Sequence, residues 1–462
     1  MILKTMMNSK FRFLAFALSF FFFVQIGFGQ ATTPAATDPL TLNPATGCME
    51  GIFAASLPDA ERRVPASAII ESLRSNPCLR LNRAVIQGDL DLRTLPVNGV
   101  SASGTDLIGL KGAFVIMNSV FEGDFLAGKT QESPQVAFEG PAVFANTQFA
   151  GVDFTGAQFR LDAHFENTTF TESAKLDQIE FLQNASFNNA SFENPVFMNR
   201  ISVGNTLDFT RASFGSLVRG FGLKGHTVDL TQATFVTTAD FSSWQLTNLD
   251  AFQVAFEGNG SFKNGVWNGS IDFSQATFSG NADFSDGIFG GRQAVFKGAE
   301  FGQNADFTRS KFFVQADFSN ARFLLNTIFN SAEFYQQALF NRAHFDFLLR
   351  LIETTFYQLA DFSGTRFAEI EMLRATFFTI PPNWREVTIS GPIHMEGMQS
   401  YSLWQTNHQA LNDALKQESY YVFAEPSQPE ADPTLQKLEM IQFTLFGVLA
   451  GVAMVLAFQL LK

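Results

Sequence analysis

Large apolar and polar positions recur along this chain with a period that belongs neither to a helix nor to a lone strand. Phenylalanine stands at Phe273, Phe278, Phe284 and Phe289, then at Phe296, Phe301, Phe307, Phe312, Phe318, Phe323, Phe329, Phe334, Phe340 and Phe345, and again at Phe356, Phe362 and Phe367. The intervals alternate five and six, a period of 11, with one slip beside Gly290 and Gly291 and with Leu351 in the place between Phe345 and Phe356. The same comb runs through Phe144, Phe149, Phe154, Phe159, Phe165 and Phe170, and through Phe181, Phe187, Phe192 and Phe197. A period of 3.6 cannot hold residues five, then six, apart on one helix face. Strict strand alternation does not fit either. A short repeat sustained over more than 200 residues marks a solenoid.

The position two before each Phe is usually small, as at Ala282, Ala305, Ala316, Ala338 and Ala360. The position just before is polar, as at Asp283, Asp306, Asp317, His344 and Asp361, and Ser, Thr, Asn or Gly often follows. Each unit therefore offers two inward residues and three outward ones, one short face plus a corner. Coils of such units stack about 4.8 Å apart. Phe above Phe then builds an apolar column, with ring contacts contributing about 0.5–1.5 kcal/mol per pair.

Ala360-Asp361-Phe362-Ser363-Gly364, Ala316-Asp317-Phe318-Ser319-Asn320 and Ala282-Asp283-Phe284-Ser285-Asp286 resemble the Ala-(Asp/Asn)-(Leu/Phe)-x-x motif of pentapeptide-repeat proteins. The resemblance spans roughly residues 85–380. It implies an all-β fold, a right-handed quadrilateral parallel β-helix with four units per coil. The 5+6 spacing departs from that pattern, giving about 22 residues per coil and an extra residue at some corners. Residues 80–390 would then make on the order of 14 coils, a rod roughly 65–70 Å long. Between Gly204 and Ser270 the comb fails around Trp244 and Trp267, which predicts a loop or bulge leaving one coil. Residues 85–395 form the predicted β-helix.

A solenoid needs capped ends, because an open coil exposes core and unpaired edges. Residues 31–46 read as a linker and 47–84 as an N-terminal cap, with a short helix at Pro65–Arg74 and a strand at Leu79–Ile86. Cys48 and Cys78 both fall in that cap and are expected to form a disulfide. Trp384–Met395 is expected to supply the last strand. Residues 396–424 read as an amphipathic helix, since Trp404, Leu411, Leu415 and Val422 share one face over Ser402–Val422. This helix is expected to pack on the open coil, with a membrane surface or a dimer as the alternatives. Residues 425–437 form a second linker.

Both termini carry membrane signals. Lys10 and Arg12 precede an apolar run, Phe13–Phe28, followed by Gly27, Gly29 and Ala31, so residues 1–30 read as a cleaved signal peptide. Ile441–Leu461 holds no charge, enough to cross a hydrocarbon core of about 30 Å, and residues 438–461 are predicted as a transmembrane helix. Gly447 and Gly451 give it a GxxxG spacing that lets helices approach closely, although Gly is common in membrane helices in any case. The β-helix is thus expected on the extracytoplasmic side, in a periplasm or equivalent lumen, beneath a single C-terminal span.

Composition narrows the chemistry. There are 56 Phe beside 5 Tyr and 4 Trp, and 44 Asp+Glu against 31 Lys+Arg give a net charge of −13. That balance disfavours nucleic acid as a partner. The five His residues, His164, His226, His344, His394 and His408, share no metal spacing, and no HExxH, GxSxG, phosphate-loop or CxxC motif occurs. No catalytic residue, metal or cofactor is expected. Sequons at Asn167, Asn184, Asn189, Asn259 and Asn268 follow from a repeat rich in Asn and Ser. The first functional reading is a non-enzymatic scaffold or interaction surface with a protein or glycan partner. Two alternatives stand beside it. The family resemblance implies DNA-mimic binding of a topoisomerase if the chain is cytoplasmic, and a β-helix can also carry a polysaccharide-processing enzyme.

Overall fold

The computed structural model describes residues 39–130, 133–380 and 382–400. These form an all-β parallel solenoid of about 15 turns with little helix. One coil gives the rule. Gln158–Phe159, Ala163–His164, Thr169–Phe170 and Ala174–Lys175 are two-residue strands on four successive faces. Each pairs in parallel one coil on, Phe159 with Phe181, Ala163 with Ala185, Phe170 with Phe192 and Ala174 with Val196. The step is 22 residues in every column, as the Phe spacing predicts.

Two kinds of corner produce the five and the six. After Phe187 the chain makes a turn in which the Ala190 N–H donates to the Phe187 carbonyl at 2.9 Å, while Asn189 sits at φ 58°. A type II turn demands positive φ at that position. The tight turn brings the next Phe five residues on. The other corner is an open bend, such as Leu182-Gln183-Asn184, and needs the sixth residue. The slip after Phe289 is a longer bend. A Cβ on its Gly291 would lie 1.9 Å from the Gly269 carbonyl oxygen, so only glycine fits against the neighbouring coil.

Among the described residues 21 non-glycine residues hold positive φ, each costing about 1 kcal/mol or more. Strain repeated at so many corners needs a repeated compensation, and side-chain ladders contribute one. Asn189 Nδ2 donates to Asn167 Oδ1 at 2.8 Å, and Asn167 Nδ2 to Asn146 Oδ1 at 3.1 Å. Gln232, Gln253 and Gln275 chain in the same way. Inside, rings stack along the axis, with Phe165–Phe187 centroids 4.6 Å apart and Phe170–Phe192 4.5 Å apart. Rings on different faces meet edge-on, as Phe318–Phe329 do at 82°. The Phe comb is thus one continuous core, its rings 0–2% exposed, except at Phe197, which is only partly buried in an outward column between Lys175 and Arg219 while Met198 takes the core place.

Between Gly204 and Ser270 the expected loop or bulge is a local irregularity, because no loop leaves the coil but the register shifts between Val203 and Thr206. Ser202–Asp208, Lys224–Asp229 and Gln245–Asp250 are long strands that run straight through a corner and pair in parallel with one another. The comb fades because Val203, Gly225, Leu246 and Trp267 stand in the column that holds Phe181 before them and Phe289 after them, while Leu207, Val228 and Leu249 enlarge the small-residue column that Ala185 begins.

The ends also refine the expectations. Thr41–Asn43 (β1) lies inside the expected linker, yet it pairs antiparallel with Cys48–Ile52 (β2). The expected single strand at Leu79–Ile86 is two strands. Arg63–Pro65 (β3), Leu79–Asn82 (β4) and Val85–Gln87 (β5) already follow the parallel pattern, β2 with β4 and β3 with β5. The helix α1 is Ala66–Ser75. Cys48 and Cys78 form a disulfide with Cα atoms 4.7 Å apart, fastening the start of β2 beside β4. At the far end the expected single strand is Thr388–Ile389 and Ile393–His394. Gln399–Ser400 is a further strand, so the repeat continues into residues expected to be helical from 396. Among the described residues no helix is long and apolar enough to cross a membrane. The expected signal peptide, residues 401–424, the second linker and the span holding Gly447 and Gly451 lie outside the described residues.

Candidate functional surface

The flattened corner builds the most distinctive outer surface. The three long strands carry Asp208, Asp229 and Asp250 in register, and Asp272 follows on the next coil. Each carboxylate accepts from the backbone N–H two residues on, Thr210 at 2.7 Å, Thr231 at 2.8 Å, Phe252 at 3.3 Å and Ser274 at 2.8 Å. The same bond recurs outside this region, from Ser285 to Asp283, Thr308 to Asp306, Ser319 to Asp317 and Ser363 to Asp361. The repeating Asp is therefore an Asx-type anchor for the corner that follows it.

That anchor, its inward Phe, and the five-residue turn after it are the pentapeptide unit seen from the outside. The profile of the family described as Pentapeptide repeats (9 copies) matches residues 135–178. The chain is a pentapeptide-repeat protein. No curated protein and no solved structure matches it. The profile falls where three successive Phe intervals, Phe144 to Phe159, are five residues each.

In this pentapeptide-repeat protein four like charges stand one coil apart, about 4.8 Å, and burial adds to the cost. Burial, then the charge of Asp250, pushes the Asp229 carboxyl up to about 6. Burial raises Asp208, with the charge of Glu166 adding to it, and burial and the charge of Asp272 raise Asp250. Beside this column Lys224 and His226 are exposed, and His226 Nδ1 lies 2.9 Å from Thr227 Oγ1.

A second feature lies on another corner, a shallow depression of about 340 Å³ lined by Thr155, Asp177, Gln178, Asn199, Arg200 and Phe221. Asn199 donates its N–H and Nδ2 to Asp177 Oδ1 at 2.8 and 2.7 Å, and its own Oδ1 accepts from the Phe221 N–H. The Phe221 ring is 43% exposed.

The histidines are dispersed. His164 Nδ1 lies 3.0 Å from Glu166 Oε1; burial opposes its charge, but the bond and charge of Glu166 raise its pKa. His344 stands in register between Arg322 and Arg366 on neighbouring coils, and His394 lies 3.8 Å from Glu369. His408 is outside the described residues. Among the described residues no group of three or more His, Cys, Asp and Glu side chains is arranged to hold a metal ion. Asn167 and Asn189 of the sequons are held in the corner ladder, and Asn184 bonds Asp162 at 2.9 Å.

Sequence reasoning missed an external aromatic ladder. Phe313, Tyr335, Tyr357 and Phe378 stack at 4.5, 4.6 and 4.9 Å on the outside of successive coils. The signal was present, since each directly follows a core Phe, but the inward comb masked it. Tyr335 Oη donates to Glu333 Oε2 at 2.5 Å, and Glu333 pairs with Lys311 at 2.7 Å. Burial, then this bond, raises the Tyr335 phenol pKa.

Proposed function

We propose that this pentapeptide-repeat protein is a membrane-anchored, extracytoplasmic, non-enzymatic scaffold or interaction surface, a right-handed four-sided rod held above a bilayer. The observation that carries the reading is the register itself. Every outward position recurs once per coil, so each face offers rows of side chains about 4.8 Å apart along a stiff axis, a geometry suited to an extended protein or glycan. The Cys48–Cys78 disulfide suits an oxidising compartment, and the uncharged run Ile441–Leu461 suits a membrane helix. The DNA-mimic reading loses support, because the recurrent carboxylates of the repeat bond their own corners.

The test is a reporter inserted at residue 300 of the full chain, read once with an enzyme active only outside the cytoplasm and once with one active only inside it. Membrane extraction at alkaline pH accompanies it. Activity of the external reporter with retention in the membrane pellet supports the proposal. A cytoplasmic signal, or release into the supernatant, overturns it.

A further inference from the structure

The two ends of the rod are closed differently. At the N-terminal mouth α1, 10 residues long, lays Ile69 and Leu73 against the core at 0% and 6% exposure. At the other mouth the inward columns finish at Trp384, which stacks 4.8 Å beneath Phe362, at Ile389 opposite Phe367, and at Met395. Ile389, Ile393, Met395 and Met398 pack on the core but are only partly buried. The indole Nε1 of Trp384 is buried without a hydrogen-bond partner, in a residue only 5% exposed. A buried donor left unpaired costs about 1–3 kcal/mol. This mouth therefore presents an apolar floor around an N–H that lacks an acceptor.

We propose that residues 401–424 of this chain close that mouth. The Trp404, Leu411, Leu415 and Val422 face of Ser402–Val422 packs on Trp384, Met395 and Met398, and an oxygen of the segment accepts from Trp384 Nε1. Continuity selects this occupant. Gln399–Ser400 already pairs with Thr376–Phe377, so residue 401 starts at the rim, and a tethered segment acts at high effective concentration. A helix over Ser402–Val422 would be about 31 Å long, twice the length of α1.

Hydrogen exchange of the full-length protein in detergent tests this, comparing the wild type with Leu411→Asp/Leu415→Asp and with Gln409→Asp/Gln417→Asp on the opposite helix face. The apolar-face variant is expected to exchange about tenfold faster or more over residues 384–400. Protection over residues 135–330 should stay at wild-type level, which shows that the rod is folded. The opposite-face variant should match the wild type throughout. Trp384→Phe, which removes the donor, should also loosen residues 384–400. Equal exchange at 384–400 in all variants would overturn the proposal. So would protection that depends on protein concentration, the mark of a second copy as occupant, or protection that appears only on transfer into a bilayer.

Discussion

Replacing Asp229 by Asn removes one charge from the middle of the stacked carboxylates and keeps Oδ1 available for the Thr231 N–H. The magnitude follows from linkage. Asp229 is lifted from 3.8 to about 6, and that difference is worth about 2–3 kcal/mol against the folded state when the group is ionised. The folded pKa lies above the unfolded one, so the folded state holds the proton more tightly. The penalty is absent below pH about 4, grows between pH 4 and 6, and is complete above about 6. Asp229→Asn is therefore expected to stabilise the long-strand coils by about 2–3 kcal/mol at pH 7.5 and by almost nothing at pH 4. Urea unfolding at both pH values, with amide exchange over residues 202–275, reads the effect. A gain equal at the two pH values, or a loss at pH 7.5, would refute the argument that burial and stacked charge destabilise this column.

The other predictions concern the cap, the core and the corners. Cys48→Ser should destabilise the N-terminal coil by about 3–4 kcal/mol, the chain-entropy cost of opening a loop of this length, seen as faster amide exchange over residues 48–87 with residues 280–350 unchanged. Phe318→Ala should cost about 3–5 kcal/mol, because Phe318 is fully buried and stacks on Phe296 and Phe340 at 4.8 and 5.1 Å; Phe318→Leu should cost much less in the same urea unfolding experiment. Asn320 holds φ 58°, so Asn320→Val should cost about 1–2 kcal/mol and Asn320→Gly close to nothing, measured as the midpoint of thermal unfolding.

The solenoid and its coil length were legible because one residue type carries them. A Phe at every fifth or sixth place can serve only one stacked core, and the 22-residue step of Phe159 to Phe181 follows from it. The helix at Ala66–Ser75 was legible as well, since Ile69 and Leu73 share a face. The flattened corner was not, because Val203, Gly225 and Leu246 occupy the column where Phe181 and Phe289 mark the register on either side. The Asp column was visible as separate residues, but its cost depends on Asp208, Asp229, Asp250 and Asp272 becoming neighbours about 20 residues apart in sequence. Pairing at that distance is set by the coil and cannot be read from local pattern. Phe221 and Arg200 meet in the corner depression for the same reason.

Every reading above rests on outward positions that recur once per coil, and pairs of spin labels test that directly. Labels replace Thr169 and, in separate proteins, Ser213, Ala255 and Glu300, which share one column with Thr169 through successive pairings. The distance from residue 169 should grow in proportion to the coils crossed, to about 10, 19 and 29 Å between backbones at 4.8 Å per coil. Distances that fail to rise in that proportion would contradict the solenoid register and the interaction surface built on it.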